Sequence, residues 1–133
     1  MSAERVTYLD SSAIVKLVVR EAESAALSRF LRRRRPLVSS ALSRVEVERA
    51  CLALGNAVRE RSLDVLGRLD LVRINERVLA LAGGLLPTEL RSLDAIHLAT
   101  ATLFGDSLGS LVTYDVRMGN AAHSLGWRVA APT

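Results

Sequence analysis

The sequence predicts an α/β fold in which a parallel sheet is covered by helices on both faces. Two observations predict it. Short apolar, β-branched runs alternate along the chain with longer segments of helical period, and no tight hairpin turns join the runs. Parallel strands need long crossovers, which helices supply. In open sheets of this kind, ligands bind beyond the carboxyl ends of the strands, where the strand order reverses.

The elements follow in order. RVTYL (5–9) reads as a buried strand, and SSAIVKLVV and EAESAALSRFLRRR read as helices, the second stopped by Pro36. PLVSS (36–40) is the second strand. SALSRVEVERACLALGNAVRERS (40–62) carries helical period for several turns, with a break near Gly55. LDLVRI (69–74) is the third strand and NERVLALAGGL a helix. SLDAIHLATATLFG opens on serine and closes on glycine, residues suited to the two ends of a helix. SLVTYD (110–115) is the fourth strand, and WRVAAP (127–132) a fifth, short enough for an edge.

Composition narrows the function classes. The 133 residues read as one domain, 1–133, half of them hydrophobic and 24% charged, which excludes a disordered chain. The apolar stretch at 78–86 is too short to span a bilayer, and MSAERVTY lacks a secretory pattern. Cys51 is the only cysteine, so nothing points to an oxidising compartment, and the cytoplasm is the expected location. A net charge of +4 and a pI near 10.2 favour a polyanionic partner. Aromatics at 4% argue against a binder that relies on stacking bases.

Four carboxylates stand out. Asp10 ends the first strand and Asp115 the fourth; if these strands are neighbours, both side chains project into one crevice. Asp94 lies in the first turn of the helix from Ser92, and Glu46 lies inside a helix. Each has a plainer reading. Asp10 could be a helix cap, Asp94 a complement to the helix dipole, Asp115 a turn residue before a helix, and Glu46 a partner of Arg49 on an exposed face. Gathered together, however, like charges require a compensating cation. Hard oxygen donors without a histidine–cysteine set select Mg²⁺ or Mn²⁺, and such a site beside a basic surface suggests phosphodiester chemistry.

YLDSSAIVKL, SSALSRVEVERA, LRSLDAIHLATA and LVTYDVRMGNAAHSLGWRV occur in that order, and with them the chain resembles the PIN-domain ribonucleases, specifically VapC-type toxins of type II toxin–antitoxin systems. The resemblance runs from about Val6 to Pro132. It implies a three-layer α/β/α sandwich with a four- to five-stranded parallel sheet. It also implies an endoribonuclease using Mg²⁺ or Mn²⁺ held by Asp10, Glu46, Asp94 and Asp115, with Ser12 and Thr113 supporting the site by hydrogen bonds. Asp10 and Asp94 are the expected direct ligands. Water rather than the ribose 2′-hydroxyl would attack, leaving 5′-phosphate and 3′-hydroxyl ends. The implied partners are RNA (tRNA or rRNA), a VapB-like antitoxin that inserts a basic side chain into the acidic crevice, and a second copy in a homodimer. Arg117 and Arg49 are the expected substrate contacts.

Other residues have plainer roles. Glu48 competes with Glu46 for the helical position, but Glu46 shares its face with the small stripe Leu42, Ala50 and Ala53 and matches the family pattern. His97 is expected to be a packed, hydrogen-bonded residue, His123 a surface residue and Cys51 core. Arg32 to Arg35 close a predicted helix, where cations complement the dipole, and contact with RNA is the alternative. A phosphoacceptor receiver would need an acidic pair and a late lysine, yet Lys16 is the only lysine. An aspartyl phosphatase would need a second aspartate at position 12, which is serine. The alternative that stands is a catalytically inactive PIN-fold module that binds RNA or protein.

Overall fold

The computed structural model describes residues 5–133. Five strands and seven helices alternate: β1 (Val6–Leu9), α1 (Ser11–Val18), α2 (Ser24–Leu31), β2 (Leu37–Ser40), α3 (Leu42–Cys51), α4 (Asn56–Gly67), β3 (Asp70–Val72), α5 (Glu76–Gly83), α6 (Ser92–Thr102), β4 (Leu108–Val112), α7 (Val116–Ser124) and β5 (Val129–Ala130). All strand pairs are parallel, in the order β3-β2-β1-β4-β5. The chain builds outward from β1 through β2 to β3, then crosses to the other side of β1 for β4. The order therefore reverses between β1 and β4, and the crevice beyond their carboxyl ends is where such sheets bind ligands.

Successive strand residues face opposite sides of the sheet. Leu9, Leu37 and Val112 accordingly pack with Ile14 and Val18 of α1, Leu27 of α2 and Leu66 of α4. Their neighbours Tyr8, Val38 and Leu111 pack on the other face with Leu98 of α6 and Met118 and Ala122 of α7. Each fully buried aliphatic side chain contributes about 1.5–3 kcal/mol. Among the described residues, no helix is long and apolar enough to cross a membrane.

Two elements differ from the sequence expectation, and the break expected near Gly55 is present. The second helix ends at Leu31, before Pro36, because the arginine run turns back onto the sheet. The Arg34 amide donates to the Leu31 carbonyl at 3.1 Å, and the buried Thr7 hydroxyl donates to the Arg34 carbonyl at 2.7 Å. The long helical period after Ser40 splits into α3 and α4 around a single 3-10 turn and Gly55, whose φ of 96° favours glycine. The fourth strand runs over 108–112 rather than 110–115. Thr113 and Ser12 accept from the Asp115 and Tyr114 amides, at 3.0 and 2.9 Å, in place of strand partners. Asp115 thus caps α7 instead of ending a strand.

Candidate active site

Asp10 follows β1 immediately and caps α1, its Oδ1 accepting from the Ala13 amide at 3.0 Å. It is buried, at 3% exposed. The Ser12 hydroxyl donates to Oδ1 at 2.7 Å and the Thr113 hydroxyl to Oδ2 at 2.5 Å. Burial nevertheless pushes the Asp10 carboxyl above the usual aspartate range, with these hydrogen bonds opposing it. Ser12 and Thr113 stand where the sequence expectation put them, and the amides they accept tie Asp10 to the loop carrying Asp115.

Asp115 Oδ1 accepts from the Arg117 and Met118 amides at 2.9 and 3.2 Å. Asp94 sits in the first turn of α6, partly buried. Burial raises its carboxyl, the charge of Asp115 raises it further, and that of Asp10 adds to the effect. His97 and Arg91 oppose the shift without cancelling it. Asp10, Asp94 and Asp115 therefore share one electrostatic neighbourhood.

Glu46 faces the crevice from α3 rather than pairing with Arg49. Its Oε1 accepts from Ser11 Oγ at 2.5 Å and from His97 Nε2 at 2.7 Å. Burial alone would raise its pKa; the His97 and Ser11 hydrogen bonds outweigh it, and the net direction is down. Glu48 has no comparable partners among the described residues.

The packed histidine expected at 97 is buried and hydrogen-bonded, but its partner is a site carboxylate, which sequence reasoning missed. A carboxylate only accepts, so Nε2 carries the hydrogen toward Glu46. Tyr8, whose hydroxyl lies 2.7 Å from Nδ1, keeps its proton because burial raises its pKa far above the ordinary value. Ser11 and Ser43 extend the network: Ser43 Oγ is 3.3 Å from Ser11 Oγ and 2.7 Å from Ser39 Oγ, which donates to the Leu9 carbonyl. One sequence signal could have found His97. It is the one ionisable side chain inside the buried run Ala95–Ala101, one turn from Asp94.

A cleft of about 460 Å³ is lined by Asp94, alone of the four candidate carboxylates, with Glu89, Arg91, Arg117, Asn120 and Ser124 among others. Arg117 and Arg91 thus line the same cleft as Asp94. Arg49 is exposed on α3, does not line this cleft, and forms no ion pair among the described residues.

The donor set suits a hard divalent cation. Among the described residues, no protein donor reaches Asp94, Glu46 Oε2 or Asp115 Oδ2, and neither Arg91 nor Arg117 forms an ion pair. The repulsion that Asp115 and Asp10 exert on Asp94 is offset only in part, by the charges of His97 and Arg91. The side chains are not drawn tight, since no three His, Cys, Asp or Glu groups among the described residues form a ready metal cage.

A family model described as PIN domain matches residues 7–124. Ribonuclease VapC46 of Mycobacterium tuberculosis is 62% identical over 126 residues, covering 95% of this chain and 97% of that protein. The fold is similar to the crystal structure of Mycobacterium tuberculosis VapC20, described as a sarcin–ricin-loop-cleaving toxin. The TM-score is 0.75 at 13% identity, over 95% and 99% of the two chains. It is also similar to a chain of a toxin–antitoxin complex from Klebsiella pneumoniae, with a TM-score of 0.73 at 21% identity over 96% and 98%. The chain belongs to the PIN-domain family and, within it, to the VapC ribonucleases.

Proposed function

We propose that the chain is a Mg²⁺- or Mn²⁺-dependent endoribonuclease and the toxin of a toxin–antitoxin pair. What supports this reading is that Asp115 and Asp10 both act on Asp94 beside the β1–β4 reversal, with Glu46 joined to α6 through His97. Among the described residues, no lysine or arginine forms an ion pair with any of the four. A divalent cation there would supply Lewis-acid activation of water and neutralise charge developing on the scissile phosphate. Asp94 and Asp10 are its proposed principal ligands, and Glu46 and Asp115 complete or orient the set. Ser12 and Thr113 hold the Asp10 carboxylate, and His97 holds Glu46. Arg117 and Arg91 grip the substrate backbone beside Asp94; guanidinium groups match phosphate geometry.

The same charge arrangement suits an inhibitor. An arginine from a VapB-like antitoxin, inserted between these carboxylates, would replace the cation's charge. A homodimer and a cytoplasmic location complete the proposal. One observation favours the inactive binding module instead: the carboxylates do not form a closed metal cage. The test is cleavage of total bacterial RNA by purified protein with Mg²⁺, Mn²⁺ or EDTA, alongside a folded Asp94→Asn variant. Discrete fragments that vanish with EDTA and in the variant support the enzyme. No cleavage by folded, antitoxin-free protein supports the binding module.

A further inference from the structure

At the opposite edge of the sheet, where the strands begin, five arginines line one groove of about 480 Å³: Arg5, Arg33, Arg34, Arg35 and Arg128. Among the described residues, no aspartate or glutamate lines it and none of the five forms an ion pair, although Arg5 and Arg128 also border a neighbouring cavity that Asp106 lines. Five guanidinium groups in one groove exceed the net charge of the whole chain, +4. Such self-repulsion is relieved by a polyanion.

The groove is fixed rather than frayed. Thr7, itself 3% exposed, donates to the Arg34 carbonyl at 2.7 Å, and its amide donates to the Pro36 carbonyl at 3.0 Å. The arginine turn is therefore stapled to β1. The Arg34 guanidinium donates to the Phe30 carbonyl at 2.8 Å and stacks 3.8 Å from the Phe30 ring centroid. Gly109 is the extra residue where the β1–β4 register shifts. A side chain there would meet Arg5 Cβ and the Val6 carbonyl oxygen, each at 3.1 Å. Glycine at 109 thus leaves room for Arg5 to lie across β4.

We infer that this arginine groove is a docking site for the phosphodiester backbone of RNA, separate from the carboxylate crevice. The identity of the polyanion rests on the ribonuclease reading. The one aromatic ring that lines the groove, Phe30, has a face already covered by Arg34, and the charged groups around it are all arginines. Recognition is therefore of phosphates, independent of sequence. At about 3.3 Å per strand residue, the groove and the crevice lie roughly 15 Å apart along the strands. Helices cover both faces of the sheet, so an RNA that touches both must pass round the outside of the domain over a longer path. A folded RNA can lie on the arginines while another part of its backbone enters the crevice.

The test is fluorescence anisotropy in EDTA, with a labelled RNA hairpin and a poly-glutamate peptide of equal charge as probes. Wild type is compared with the combined variant Arg5→Gln, Arg33→Gln, Arg35→Gln, Arg128→Gln. All four positions are exposed, and circular dichroism checks the fold. The expected result is a loss of hairpin affinity of tenfold or more, with the slope of log affinity against log salt falling by about three. Unchanged affinity and slope overturn the inference, as does a wild-type preference for poly-glutamate, which would assign the groove to an acidic protein partner. Cleavage in Mg²⁺ is read separately. Loss of hairpin binding in the variant with no cleavage by wild type keeps the docking site and discards the nuclease. Wild-type cleavage with unchanged variant binding does the reverse.

Discussion

The Thr113 hydroxyl donates to Asp10 at 2.5 Å while accepting from the amide of Asp115 at 3.0 Å, so one side chain joins two acids that are 105 positions apart. A hydroxyl at 113 opposes the upward shift that burial imposes on the Asp10 carboxyl and fixes its orientation.

Thr113→Val keeps the shape and removes both hydrogen bonds. It leaves the buried Asp10 oxygen short of a donor, at a cost of about 1–3 kcal/mol. Divalent-metal affinity should fall about 10- to 100-fold, as for other residues that orient ligands. Thr113→Ser should restore most of both. Urea denaturation and Mn²⁺ titration check this pair.

Asp94 gives a pH prediction. Its folded pKa is raised by burial and by Asp115, so the metal-free folded state binds its proton more tightly than the unfolded chain does. The carboxylate costs stability in full above the folded pKa, and that cost disappears below the unfolded value. Metal-free Asp94→Asn should therefore melt at a higher temperature than wild type near about pH 7, the gap closing by about pH 4. In wild type, metal affinity should begin to fall on acidification at a pH above the ordinary aspartate range. Calorimetry across pH reads the first effect, and Mn²⁺ titration the second.

His97 and Tyr8 form one unit with Glu46. Tyr8→Phe strands Nδ1 of a histidine that is 1% exposed, and His97→Leu strands Tyr8 and leaves Glu46 held by Ser11 alone. The two substitutions should couple by about 0.5–3 kcal/mol in a double-mutant cycle. Cleavage should fall more in His97→Leu than in Tyr8→Phe, because only the first loosens Glu46.

Leu98 of α6 is fully buried beneath the β1–β4 layer. Leu98→Ala should cost about 2–5 kcal/mol and lower the denaturation midpoint. Because α6 also carries Asp94 and His97, RNA cleavage should be lost at a lower temperature than in wild type.

Much of the fold was legible because its signals are local. Apolar runs, helix caps and the crossovers between them placed every strand of the sheet to within a few residues. Asp10, Asp94 and Asp115 were legible as candidates because they occupy cap or first-turn positions at the ends of elements, whereas Glu46, inside a helix, was singled out by the family pattern. The ends of α2 and β4 were not legible, because hydroxyls distant in sequence set them: Thr7 draws in the arginine turn, and Thr113 with Ser12 binds the loop amides. The Tyr8–His97–Glu46 chain was hidden too. Its members lie 89 and 51 positions apart and meet only once α3 and α6 converge. A histidine bound to a carboxylate carries the same local signal as one packed in a core.

The most direct test of the carboxylate site is Mn²⁺ titration followed by electron paramagnetic resonance of the free ion, on wild type, Asp10→Asn and Asp94→Asn. The predicted result is stoichiometric binding to wild type, weakened at least about tenfold in each folded variant. Equal binding by all three proteins, or none by wild type, would contradict a metal site built on Asp10 and Asp94.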